Sequence, residues 1–207
     1  MPATPLHALP YPAPGDPDDV PTDMSELALA IDPLLGLPVP STSPPDSPAD
    51  GQLWIYPAAA GITWLFRYNA ASPSPYKWEF LGGPPLFGEA TAGTGGVVST
   101  SYVSIDPNLT VPRAGDYDWR LVALVSPSDG GVAAYCGVQL GAAAASDSDA
   151  FHTYFGSAAV TPTVVLTKAR RAPGLAAGAI VRMVGKVSSG NCNYQARSLA
   201  ITPVRIS

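Results

Sequence analysis

Alternation of apolar and polar positions is clearest between residues 115 and 126, "GDYDWRLVALVS", where Tyr117, Trp119, Leu121, Ala123 and Val125 share one face and Asp118 and Arg120 the other. A period of two places successive side chains on opposite faces of an extended strand. From Val122 and Leu124 onward the second face also turns apolar. A strand apolar on both faces is covered on both, by a second sheet and a loop or by another subunit, which makes Val122 and Leu124 candidate subunit contacts. Further strands read at "VAAYCGVQL", "AFHTYFG", "TPTVVLTKA", "AAGAIVRMVGKV" and "YQARSLAITPVRIS", with a weaker one at "VVSTSYVSI". In the last long run Leu199 and Ile201 have one parity and Val204 and Ile206 the other, so Pro203 between them predicts a bulge or an edge position. Seven or eight strands separated by Gly-, Ser- and Asp-rich turns over residues 97–207 predict an antiparallel β-sandwich of the jelly-roll kind.

Residues 51–86 carry a different strand pattern. "QLWIYPA", "ITWLFRYN" and "YKWEFLGG" are short and aromatic, and in the last Tyr76, Trp78 and Phe80 alternate with Lys77 and Glu79. Trp54, Trp64, Tyr68, Tyr76, Trp78 and Phe80 are expected to form the core of a small β module or its contact with a second subunit; a sugar-binding platform would need those rings exposed. Three strands make too small a core to stand alone, so the module must lean on a neighbour or on copies of itself. "GGPP" at 82–85 turns and stiffens its exit, and residues 87–96 read as a Gly-rich connector.

Residues 1–50 form no sheet: they hold 13 of the 24 prolines, eight acidic residues and no Lys or Arg. This acidic arm is extended or turned, apart from a short helix predicted over 21–32. Pro21 opens it, Asp23 and Glu26 sit near the positive end of its dipole, and Pro33 stops it. Met24, Leu27, Ala28 and Ile31 make one apolar stripe at i, i+3, i+4 and i+7, for packing on the chain itself or for docking on another protein. Residues 41–50, "STSPPDSPAD", read as an extended linker.

Composition narrows the function classes. With 13% charged residues, 46% hydrophobic residues and a net charge of −5, the chain suits neither a disordered tail nor a phosphate-backbone binder. No apolar run reaches the roughly 18 residues of a membrane span, and no signal-peptide pattern opens the sequence, so a soluble protein made in a cytoplasm is expected. Catalytic and metal motifs are sparse. His7 and His152 are the only histidines, "GEATAGTGG" lacks the Lys and Ser/Thr of a phosphate loop, and no Gly-x-Ser-x-Gly elbow occurs. Asp147 and Asp149 in "ASDSDAF" read as a solvated turn more readily than as a Ca²⁺ site or a glycosidase pair. Cys136 and Cys192 are expected to be free thiols. No enzyme activity, no cofactor and no metal are expected.

Three segments carry a family resemblance. "LPYPAPGDPDDVPTDMSELALAID", containing Tyr11 and Pro12, resembles the N-terminal segment of minor tail and fibre proteins of tailed bacteriophages. "WLFRYNAASPSPYKWEFLGGPPL" is similar to a second module of those proteins, and residues from "AGDYDWRL" to "RSLAITPVRIS" resemble their jelly-roll tips, broadly like the trimeric fold of tumour necrosis factor. The resemblance implies a virion structural protein, a tail fibre, head fibre or minor tail protein that forms a homotrimer. Tyr11, Pro12, Met24, Leu27, Ala28 and Ile31 would attach it to another virion protein through residues 1–40. No coiled-coil or collagen-like repeat is present, so the fibre would be short. Two further readings stand beside it. One is a host-surface receptor module for glycan or envelope protein, using Asp147, Asp149, Phe151, His152 and Tyr154; the other is a depolymerising enzyme, for which no convincing acid pair is visible.

Overall fold

The alternating stretch at 115 is the backbone of the larger sheet. The structure is a computed structural model that describes residues 20–35, 38–94, 96–128, 130–156 and 163–207. Gly115–Pro127 pairs along its length with Cys192–Ile206 on one side and Val164–Leu175 on the other. Tyr117, Trp119, Leu121, Ala123 and Val125 are all buried, as their shared parity requires.

In chain order the strands are β1 (Leu53–Ala59), β2 (Ile62–Tyr68), β3 (Trp78–Gly82), β4 (Leu86–Ala90), β5 (Val103–Thr110), β6 (Gly115–Pro127), β7 (Val132–Leu140), β8 (Ala150–Phe155), β9 (Val164–Leu175), β10 (Ile180–Val187) and β11 (Cys192–Ile206). Strands β4-β11-β6-β9 form one antiparallel face and β5-β10-β7-β8 the other. From β4 onward the chain changes sheet at every connection except β7 to β8. That order is a jelly roll, and the fold is mainly β.

The two inner faces interdigitate through Trp119, Leu121, Leu166, Leu199 and Ile201 from one sheet and Ile105, Val138, Val181 and Met183 from the other, all buried. Each such aliphatic side chain contributes about 1.5–3 kcal/mol relative to exposure. Tyr194 of β11 crosses the layer, its hydroxyl 2.7 Å from the Tyr135 carbonyl and 2.8 Å from that of Lys186. Gly185 leaves the space its ring occupies, since a Cβ there would lie 2.9 Å from the ring. β11 bulges between Pro203 and Arg205 against β6, so Leu199, Ile201 and Ile206 are all buried despite their change of parity.

The aromatic module finds its neighbour within the chain. β1, β2 and β3 extend the larger sheet because Trp78 pairs with Ile206 and Glu79 with Arg205 at the end of β11. Trp64 also meets Tyr117 of β6, with ring centroids 6.4 Å apart. Pro40–Ser207 is accordingly one compact unit.

Two expected boundaries move. The start of the segment read as a connector, residues 87–90, belongs to β4 and pairs with Arg197–Ala200. Beyond it Thr94 and Val97 bond to Tyr194 and Cys192. The glycines here serve close approach: a Cβ on Gly88 would lie 2.9 Å from Pro107, and one on Gly96, at φ +102°, would collide with Asn191. The expected linker 41–50 is seated at its first residues, where the Trp54 indole donates to the Ser41 carbonyl and Arg113 donates to that of Thr42.

The other unit is Met1–Val39. Its described part is the helix α1 (Val20–Leu35), which continues past Pro33 instead of stopping there. Only the bond to the Leu29 carbonyl is lost at a proline one turn from the end.

Candidate functional site

The outward face of the smaller sheet carries a built polar cluster. Lys186 of β10, Tyr135 of β7 and His152 of β8 are register partners across three adjacent strands, so their side chains form one row. The Tyr135 and His152 rings stack at 5.2 Å with 27° between planes. The Lys186 ammonium lies 4.6 Å from the ring centres of both Tyr135 and Tyr102, the latter just before β5. Cation–π attraction on two sides fixes a side chain that is otherwise one of the most mobile.

Asp147 closes this row from the turn between β7 and β8. Ser146 caps that turn, Asp147–Asp149, with its hydroxyl accepting from the Ser148 N–H. Asp147 Oδ1 accepts from Lys186 Nζ at 2.6 Å and from the Tyr102 hydroxyl at 2.8 Å. The Lys186 ammonium, then the Tyr102 hydroxyl, hold the Asp147 carboxyl below the ordinary aspartate value. Burial, then the hydrogen bond to the Asp147 carboxylate, push the Tyr102 phenol upward. Thr100, Ser101, Gln139, Ala144 and Ala145 line a cleft of about 480 Å³ beside the cluster.

The residues of the expected receptor-facing loop separate in space. Asp147 and His152 belong to the row around Lys186. Asp149 turns instead to Arg170, 2.7 Å away, while Lys168 and Arg170 both donate to the Ser148 carbonyl and tie β9 to this turn. Each carboxylate thus has its own cation. Phe151 and Tyr154 are exposed. Tyr102, Tyr135, Gln139 and Lys186 were not singled out by the sequence; the outward parity of Tyr135, between buried Ala134 and Cys136, was the available signal.

The aromatic residues of the module lie inside. Trp54, Trp64 and Trp78 are buried, while Tyr68, Tyr76 and Phe80 are half-buried. Trp64 contacts Phe66 and Phe80 edge-on, and its indole donates to the Pro84 carbonyl at 2.7 Å. The Arg113 guanidinium lies over Trp54 and Tyr56, at 5.2 and 5.8 Å. These rings offer no exposed sugar platform.

Val122 and Leu124 are half-buried on the outward face of the larger sheet. Leu124 is partnered by Val165 and Val122 by Thr167, and Phe87 lies beside Ala200 on the same face. Phe87 and Val165 are 58% and 60% exposed. In α1, Met24 and Ala28 are exposed and Leu27 and Ile31 half-buried, while Tyr11 and Pro12 lie outside the described residues. Cys136 and Cys192 are buried free thiols, both pushed up to about 12 by burial. Among the described residues no helix is long and apolar enough to cross a membrane.

No family model matches the chain, and no curated protein matches it. Among solved structures it is similar to the Eiger tumour necrosis factor of S. frugiperda, with 11% identity, a TM-score of 0.36, and 60% of this chain and 96% of that one covered. It is also similar to infectious bursal disease virus VP2 in a subviral particle, with 10% identity and a TM-score of 0.40, covering 69% of this chain and 42% of that one. A third similar structure is that of infectious bursal disease virus Gx strain, with 11% identity, a TM-score of 0.39 and the same coverage.

Proposed function

We propose that this chain is a structural protein of a tailed-bacteriophage virion, a short homotrimeric fibre attached through residues 1–40 and presenting its jelly roll outward. The observation that carries the reading is the exposed apolar side chains on the outward face of the β4-β11-β6-β9 sheet. There Val165 is exposed beside Leu124 and Phe87 beside Ala200, with Arg120 level with Ala200 and with Ser198 and Thr167 flanking Val122. Large apolar side chains exposed on a sheet face favour association, and copies of one chain closing around an axis would cover them. The phage-like sequence of the arm and the exposed Met24 of α1 support attachment to a second virion protein. The particle is then the site of residence.

The second reading, a host-surface receptor module, is favoured by exposed Phe151 and Tyr154 on β8. A depolymerising enzyme ranks third, because Asp147 and Asp149 are each ion-paired to a different cation. Removal of residues 1–39 tests the division of labour: the remaining chain is expected to stay folded and oligomeric while failing to enter particles. Incorporation of the truncated chain at the normal level would refute attachment through the arm.

A further inference from the structure

We infer that the cleft between Tyr102, Gln139 and Asp147 binds a neutral saccharide. The inference deepens the receptor-binding reading and does not depend on how the chain joins a particle. Three observations lead to it.

The first is unspent hydrogen-bonding capacity. Asp147 receives both Lys186 and Tyr102 on Oδ1, leaving Oδ2 without a partner among the described residues. Gln139 donates Nε2 to the Ala143 carbonyl and keeps Oε1 free, and the side-chain hydroxyls of Thr100 and Ser101 have no partner among the described residues. The residues that carry these acceptors and hydroxyls all line one cleft of about 480 Å³, within the size range of small-ligand sites. Sugar hydroxyls donate and accept at once, so they match such a mixed array.

The second is charge. The two ionised groups at the cleft, Lys186 and Asp147, lie 2.6 Å apart and neutralise each other. An anion would approach the Asp147 carboxylate and a cation the Lys186 ammonium, whereas a neutral polyol meets neither repulsion. The third is order. Lys186 is held between two tyrosine rings and Asp147 by two donors, so little side-chain freedom remains to be lost on binding. Ala144 and Ala145 line the cleft with short side chains.

The test is a titration of the full chain, ¹⁵N-labelled, with D-glucose, D-galactose and N-acetyl-D-glucosamine at millimolar concentrations, and separately with inorganic phosphate. The expected result is saturable amide shifts at Ser101, Tyr102, Gln139 and Asp147 with at least one of the sugars. Gln139→Ala and Ser101→Ala should each weaken that binding about three- to tenfold, the loss of one hydrogen bond. Ala144→Trp, a change at an exposed position, should abolish it by filling the cleft while leaving the remaining spectrum intact. Absence of saturable shifts with all three sugars would overturn the inference. So would shifts unaltered in the three variants, or tighter binding of phosphate than of any sugar at the same residues.

Discussion

Arg197 is the buried cation of the sandwich, 5% exposed. Its guanidinium donates to the carbonyls of Asp106, Ala92 and Tyr194, and burial pulls it below the usual arginine range. It therefore holds together β11, at its register shift between Gln195 and Ser198, the segment after β4 and the middle of β5. Arg197→Met would remove the donor to the Ala92 and Asp106 carbonyls, while that of Tyr194 keeps the Thr94 N–H, and is expected to cost about 1–3 kcal/mol, read by urea denaturation. The Asp147 carboxyl is a milder case. Its lowered folded value means that its contribution to stability is present above the ordinary value of 3.8 and is lost as pH falls through the folded one. Lys186→Met should move the Asp147 titration upward, seen in the side-chain carboxyl signal by NMR. At this scale the sequence said little, because Tyr102, Asp147 and Lys186 are far apart along the chain and meet only through the sheet register. Arg197, by contrast, could be read only as one charged position in a long strand.

Among the elements, legibility followed the number of buried neighbours each side chain has on its own face. β6 and β11 alternate along most of their length, while β7 and β10 are nearly continuous apolar runs of nine and eight residues, and both patterns were visible. β4 is five residues long and β5 contains Pro107, so glycine and proline masked the strands. The pairing of β3 with β11 was equally hidden, since only Trp78 and Glu79 carry it. That pairing has a consequence for stability. Trp64 is fully buried and touches both Phe80 of the module and Tyr117 of the jelly roll. Trp64→Ala is expected to cost about 3–5 kcal/mol and to lower a single transition in calorimetry. A second, earlier transition would mean that the module melts by itself.

For the whole molecule the proposed function requires self-association through the outward face of the β4-β11-β6-β9 sheet. Val122 and Leu124 on the second face of β6 were the sequence signal for it; Val165 of β9 stands beside Leu124, and Phe87 of β4 is a separate exposed side chain beside Ala200. Introducing a charge at Leu124, half-buried on that face, would oppose burial against another copy without entering the core. The direct measurement is the mass of the purified full chain by light scattering, alone and as Leu124→Arg. The expected mass is that of three chains for the unsubstituted protein and of one chain for the variant. A single-chain mass for the unsubstituted protein at micromolar concentration would contradict it.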